Sequence, residues 1–127
     1  MRGFLLDRAK SFRYAFAGIS YVFRTQKNAQ IHLFIVVVVL ALTFWLSLPI
    51  DEIALVFLTI GMVLGAEFFN TAIEALVDLA SPNHHPLAKI VKDVGAGAVL
   101  VCAIVAVLVG IILLGPPLLT KLGLIHA

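Results

Sequence analysis

Val94 to Thr120 is a run of 27 residues without one charged side chain. As a helix it would be about 40 Å long at ~1.5 Å per residue, longer than the roughly 30 Å hydrocarbon core of a bilayer. A soluble domain of 127 residues would have to hide that helix under polar surface the chain does not have: 62% of its residues are hydrophobic, 13% are charged, and the mean hydropathy is +1.13. The bilayer is the solvent that suits such a chain. The expected fold class is an all-α membrane protein, a single membrane domain over residues 1–127.

Two more segments can span. Residues 31–48 are apolar except for His32 near their start, and residues 53–79 read as a long helix. Between them, Leu48-Pro49-Ile50-Asp51 forms a tight turn, with Asp51 expected to cap the next helix and Glu52 to suit its positive end. Ser81-Pro82-Asn83-His84-His85-Pro86 breaks the second span. The third is expected over residues 87–115, because Gly115-Pro116-Pro117 should end or kink it. Residues 1–27 carry six of the nine basic residues, and Phe12, Phe16, Ile19 and Phe23 recur at helical spacing. That pattern predicts a basic amphipathic helix lying in the membrane interface. It does not read as a cleavable signal peptide, because Arg8, Lys10 and Arg13 interrupt its apolar residues. Cys102 stands alone in an apolar run and reads as a small packing residue.

Lysine and arginine counts give an expected orientation. The N-terminal segment has six, residues 80–93 have Lys89 and Lys92, and the turn at Pro49 has none. The positive-inside rule then places the N-terminus and the 80–93 region in the cytoplasm.

Glu67, Asn70, Glu74 and Asp78 share the second span. At ~100° per residue, their offsets of three, seven and eleven residues from Glu67 keep them within an arc of about 80°. Glu67 lies about 21 Å along the axis from Ile53 at ~1.5 Å per residue, so it should sit inside the apolar slab. Glu74 should sit near the boundary and Asp78 just outside it. A seam of polar groups can simply glue helices together. Three carboxylates on one face make poor glue, since they repel one another and call for a metal or basic partners. Intramembrane acids are usually functional, and a stripe running from lipid depth to water suits chemistry that joins a membrane-dissolved substrate to an aqueous one. Gly61 and Gly65, and the slim run Gly95-Ala96-Gly97-Ala98, suggest close helix packing. No Walker A loop, Rossmann glycine pattern or protein-kinase catalytic loop is present. His84 and His85, taken alone, read as solvated loop residues.

The run Glu67-Phe68-Phe69-Asn70-Thr71-Ala72-Ile73-Glu74-Ala75-Leu76-Val77-Asp78 resembles the signature E-x-x-N-[ST]-A-x-E-x-x-x-D of the bacterial diacylglycerol kinase family, which includes undecaprenol kinases. Lys92-Asp93 with the following Gly95 to Leu100 is similar to the family's second segment, and His85 to Lys89 resembles the branch found in Gram-positive bacteria. The resemblance implies a small homotrimeric enzyme of the bacterial inner membrane. Its sites would lie between subunits on the cytoplasmic side, and it would move the γ-phosphate of ATP, with Mg²⁺, to the hydroxyl of diacylglycerol or undecaprenol. No nucleic acid is implied as a partner.

Carried over by position, the resemblance makes Glu67 the catalytic base and Glu74 a ligand of the metal. Asn70 and Asp78 would orient phosphate or metal, Lys92 would neutralise phosphate charge, and Asp93 would hold the nucleotide. Tyr14, Asn83, His84 and His85 match positions that contact ATP. One position departs: where the family places a second metal-binding glutamate, before the first span, this chain has Gln26, although Asn28, Ile31 and His32 match the segment around it. An amide is a weaker Mg²⁺ ligand than a carboxylate. The competing expectations are a weak or inactive relative serving as a membrane scaffold, which Gln26 would suit, and a small ion-coupled transporter subunit using Glu67. The stripe opens to one face only, which suits a transporter poorly.

Overall fold

A computed structural model describes residues 2–83 and 85–125. Four helices follow one another: α1 (Arg2–Thr25), α2 (Lys27–Trp45), α3 (Ile50–Ala80) and α4 (Pro86–Lys121). The last three are long and apolar enough to cross a bilayer, and no strand occurs among the described residues. The protein is a multi-pass membrane protein.

The break between α1 and α2 is a single residue. Gln26 leaves helical geometry (φ −101°, ψ 113°), and α2 starts at Lys27, four residues earlier than the apolar pattern begins. Across the break, Gln30 Nε2 donates to the Phe23 carbonyl at 3.0 Å. Phe23 also sets its ring edge-on against Phe68 of α3, with centroids 5.6 Å apart, and Val22 beside it is buried. The C-terminal end of α1 is thus docked on the bundle. Phe12 and Phe16, further out on the predicted apolar face, are exposed, as an interfacial helix requires.

Helix α2 ends in a Schellman-type turn. Ser47 N–H donates to the Phe44 carbonyl and Leu48 N–H to the Thr43 carbonyl, and Ser47 adopts the left-handed conformation (φ 57°). Pro49 then stands at the N-cap of α3, whose side chain supplies no capping bond. Asp51 is therefore not the cap; it lies with Glu52 in the first turn, where both carboxylates complement the positive end of the helix dipole.

Helices α3 and α4 form the most extensive packing pair. The connection between them is fixed at both ends. His85 is the N-cap of α4, its Nδ1 accepting from Leu87 N–H at 3.2 Å, and Pro86 occupies the first helical position, where its missing N–H costs nothing. Lys92 of α4 forms an ion pair with Asp78 of α3.

Helix α4 continues through Pro116 and Pro117 to Lys121, beyond residue 115, where the third span is expected to end. Two prolines remove two ladder donors, but proline's φ of about −65° is itself helical. Beyond them Thr120 Oγ1 donates to the Pro116 carbonyl at 3.0 Å. The continuation is also held from outside, because Lys121 Nζ donates to the Trp45 carbonyl at 2.7 Å and lies 4.9 Å from the Trp45 ring centroid. The stop comes at Gly123 (φ +71°), where Gly123 N–H bonds the Thr120 carbonyl and Leu124 N–H the Leu119 carbonyl. A Cβ added at Gly61 or Gly65 would meet nothing within 4 Å, so neither is a site of close packing within the chain.

Candidate functional site

The acidic stripe of α3 faces inward at Glu67 and Asn70 and emerges at Asp78, which is exposed. Glu67 is 2% exposed, and Asn70 and Thr71 are buried with it, whereas the apolar Phe69, Leu76 and Leu79 point away from the chain. This inverts the pattern of a soluble helix. Lipid is the poorer solvent for a carboxylate, so the polar side of α3 turns to the bundle and the apolar side to the bilayer. Helix α3 is 31 residues long, about 46 Å at ~1.5 Å per residue, and overshoots a hydrocarbon core of roughly 30 Å by several turns. For a roughly 30 Å hydrocarbon core that begins at Ile50, Glu67, about 25 Å along the axis, would lie within the slab and Glu74, about 36 Å along, beyond it.

Glu67, Asn70 and Glu74 open onto one cavity of about 230 Å³ between α2, α3 and α4. Asn70 Nδ2 donates to Glu74 Oε1 at 3.0 Å, which ties the two side chains together across one helical turn. Thr71 Oγ1 donates to the Glu67 carbonyl at 2.9 Å. Two buried oxygens, Glu67 Oε2 and Asn70 Oδ1, have no hydrogen-bond partner among the described residues. Asn70 Oδ1 is pressed against Gly95 of α4, where a Cβ would collide with it. The slim start of α4 thus has a specific use: Gly95 admits the Asn70 amide.

From α2 the cavity receives Asn28 and His32, one turn apart on one face. Neither was singled out as a site residue from the sequence. The signal was present in their i, i+4 spacing, and in His32 being the one strongly polar side chain of the first span. Small and apolar side chains of α4, including Ala96 and Ala103, complete the wall. A second cavity of about 220 Å³ is almost wholly apolar and lies deeper in the same three-helix groove, between Ile35, Val56, Val63 and Val107.

The other expected site residues stand outside the cavity lining. Asp78 and Lys92 pair with each other, and Asp93 accepts from Lys89 Nζ at 2.7 Å. Tyr14 is exposed on α1 beneath the Arg13 guanidinium, 5.5 Å from the ring centroid. Asn83 is exposed in the α3–α4 connection, where its carbonyl accepts from Ser81 Oγ at 3.1 Å, and His85 caps α4. Gln26 sits at the α1–α2 break. His84 lies outside the described residues.

The cavity donors suit a hard divalent cation. They are carboxylate and amide oxygens, two of them without a hydrogen-bond partner among the described residues, and Mg²⁺ is typically held by one or two carboxylates together with substrate phosphates. Among the described residues no group of three or more His, Cys, Asp or Glu side chains gathers as a metal cage, so phosphate oxygens would have to supply part of any such shell.

Comparison with known proteins gives a consistent result. The pattern of the prokaryotic diacylglycerol kinase family matches residues 13–114. A diacylglycerol kinase of Synechocystis sp. is 50% identical over 111 residues, which cover 87% of this chain but 63% of that protein, just under two thirds of its length. Undecaprenol kinase of Bacillus subtilis is 43% identical over 109 residues, 86% of this chain and 89% of that protein. Diacylglycerol kinase of Escherichia coli K12 is 41% identical over 81 residues, 62% of this chain and 66% of that protein.

Proposed function

The chain belongs to the prokaryotic diacylglycerol kinase family, and from that premise we propose that it is a lipid kinase transferring the γ-phosphate of ATP to the hydroxyl of a membrane lipid, diacylglycerol or undecaprenol. The observation that carries this reading is Glu67: a buried carboxylate at lipid depth with one oxygen unpartnered, opening onto a polar cavity.

In this reading Glu67 Oε2 accepts the proton of the lipid hydroxyl as the hydroxyl oxygen bonds to the γ-phosphorus. The bond from that phosphorus to the bridging oxygen breaks, and ADP leaves. Such a transfer asks the protein mainly for positioning and charge compensation. Glu74, oriented by Asn70, would hold Mg²⁺, which when bound supplies charge neutralisation for the phosphates. Gln26 would add at most a weak amide ligand.

Lys92 and Asp78 tie α4 to α3 outside the cavity lining. On nucleotide binding Lys92 would exchange its carboxylate partner for phosphate. The positive charges of the N-terminal helix and of residues 80–93 support an orientation with both in the cytoplasm of a bacterial inner membrane. The nucleotide-contact positions that this chain leaves outside its own cavity support sites shared between copies in a homotrimer.

The test is transfer from γ-labelled ATP, with Mg²⁺, to diacylglycerol and to undecaprenol offered separately in mixed micelles. Label should enter at least one lipid. Glu67→Gln should lower transfer by about 10²–10⁴-fold, the usual contribution of general base catalysis, with the KM for MgATP nearly unchanged. Equal activity of the variant would exclude Glu67 as the base.

A further inference from the structure

The polar cavity and the apolar groove are two halves of one cleft, and two side chains belong to both: His32 of α2 and Ala103 of α4. Ala103 offers only a methyl group. His32 is therefore the single polar side chain at the junction. It is half-buried, and its ring makes no hydrogen bond to the rest of the chain among the described residues. On its polar side the cleft holds Glu67, with Oε2 awaiting a donor. Among the described residues, the only hydroxyl lining the apolar side is that of Thr59, which donates to the Leu55 carbonyl at 2.7 Å. A molecule with a long hydrocarbon chain and a terminal polar group would place its chain along the groove and bring its polar end to the junction.

We propose that His32 binds the hydroxyl of the lipid substrate and orients it between Glu67 and the phosphoryl group. An alcohol oxygen carries one O–H and two lone pairs. The O–H donates to Glu67, one lone pair accepts from the imidazole N–H, and the second is left to attack phosphorus. A single carboxylate contact would let the hydroxyl turn about the O–H axis. The second contact fixes the direction of attack, which is how positioning lowers a barrier. His32 comes from α2 and Glu67 from α3, so the pair also places the hydroxyl at the seam between two helices rather than on one.

This assignment rests on the lipid-kinase reading and is tested within the same assay, on the intact chain. The lipid mole fraction and MgATP are varied independently for the wild type, His32→Leu and His32→Gln. Loss of one ordinary hydrogen bond to substrate corresponds to about tenfold. His32→Leu should therefore lose about tenfold or more in kcat/KM for the lipid while its KM for MgATP stays within about twofold. His32→Gln, whose amide N–H can donate, should recover most of that loss. If leucine prevents assembly, His32→Ala is compared with and without added imidazole, and imidazole should restore lipid turnover. Unchanged lipid kcat/KM in His32→Leu would overturn the assignment. So would a parallel rise in the KM for MgATP, or failure of both glutamine and imidazole to rescue. A wild-type protein that labels neither lipid is a different outcome: it removes the kinase reading, and this assignment with it.

Discussion

Asn70 shows how a single side chain can be set by what faces it. Its amide nitrogen holds Glu74, and its oxygen is lodged against Gly95. A methyl group at that glycine would have to displace the amide or part the helices, and overpacking of this kind typically costs about 1–3 kcal/mol. Gly95→Ala is accordingly expected to lower the thermal unfolding midpoint in detergent and to reduce phosphate transfer, since Glu74 loses its partner. In Gly95→Ala/Asn70→Ala the stability loss should be smaller than the sum of the single losses, because the two changes share one contact. Additive losses would mean that the glycine serves some purpose other than admitting Asn70. The four-residue polar stripe was legible in the sequence. The division of labour within it was not: Glu67, Asn70 and Glu74 enter the cavity, while Asp78 leaves it for Lys92. An 80° arc fixes a face of a helix, but which neighbour stands opposite each turn depends on how α4 is laid against it.

At the scale of the elements, the ends of helices decided most departures from expectation. The turn after α2 places Ser47 in the left-handed region, which costs a non-glycine residue roughly 1–2 kcal/mol relative to glycine's ease there. Ser47→Gly is expected to stabilise the protein by about 1 kcal/mol, read as a higher unfolding midpoint with unchanged transfer activity. A lower midpoint would show that the Ser47 side chain contributes more than its backbone costs. Gly115-Pro116-Pro117 looked like a stop and is not one. Proline prevents neither helical φ nor the resumption of the ladder beyond it, and the Lys121–Trp45 contact rewards the extra turn. The true stop, Gly123, follows the usual rule for a helix C-terminus.

For the whole molecule, one chain assembles only part of what the family motif contains. The cavity gathers Glu67, Asn70 and Glu74, with Asn28 and His32. Tyr14, Asn83, His85, Lys92 and Asp93 lie outside it. If all of these act at one centre, neighbouring copies supply the remainder. Purified protein is then expected at three times its 13.7 kDa chain mass by native mass spectrometry. Co-assembly of two inactive variants, Glu67→Gln and Lys92→Met, should restore measurable transfer, because some mixed sites would carry both wild-type residues. A strictly monomeric protein, or a mixture as inactive as its parts, would argue for sites complete within one chain.

The sequence by itself determined the solvent, the number of spans and the polar face of α3. Each follows from local composition and helical periodicity, which a chain carries before it folds. Tertiary structure decided which polar groups meet. Asn28 and His32 reach the cavity because α2 lies across α3, Asn70 finds room because a glycine of α4 stands opposite, and α4 runs past two prolines to a contact 76 residues away in sequence. Such pairings depend on the relative placement of helices, and that placement is settled by close packing between surfaces distant in the chain.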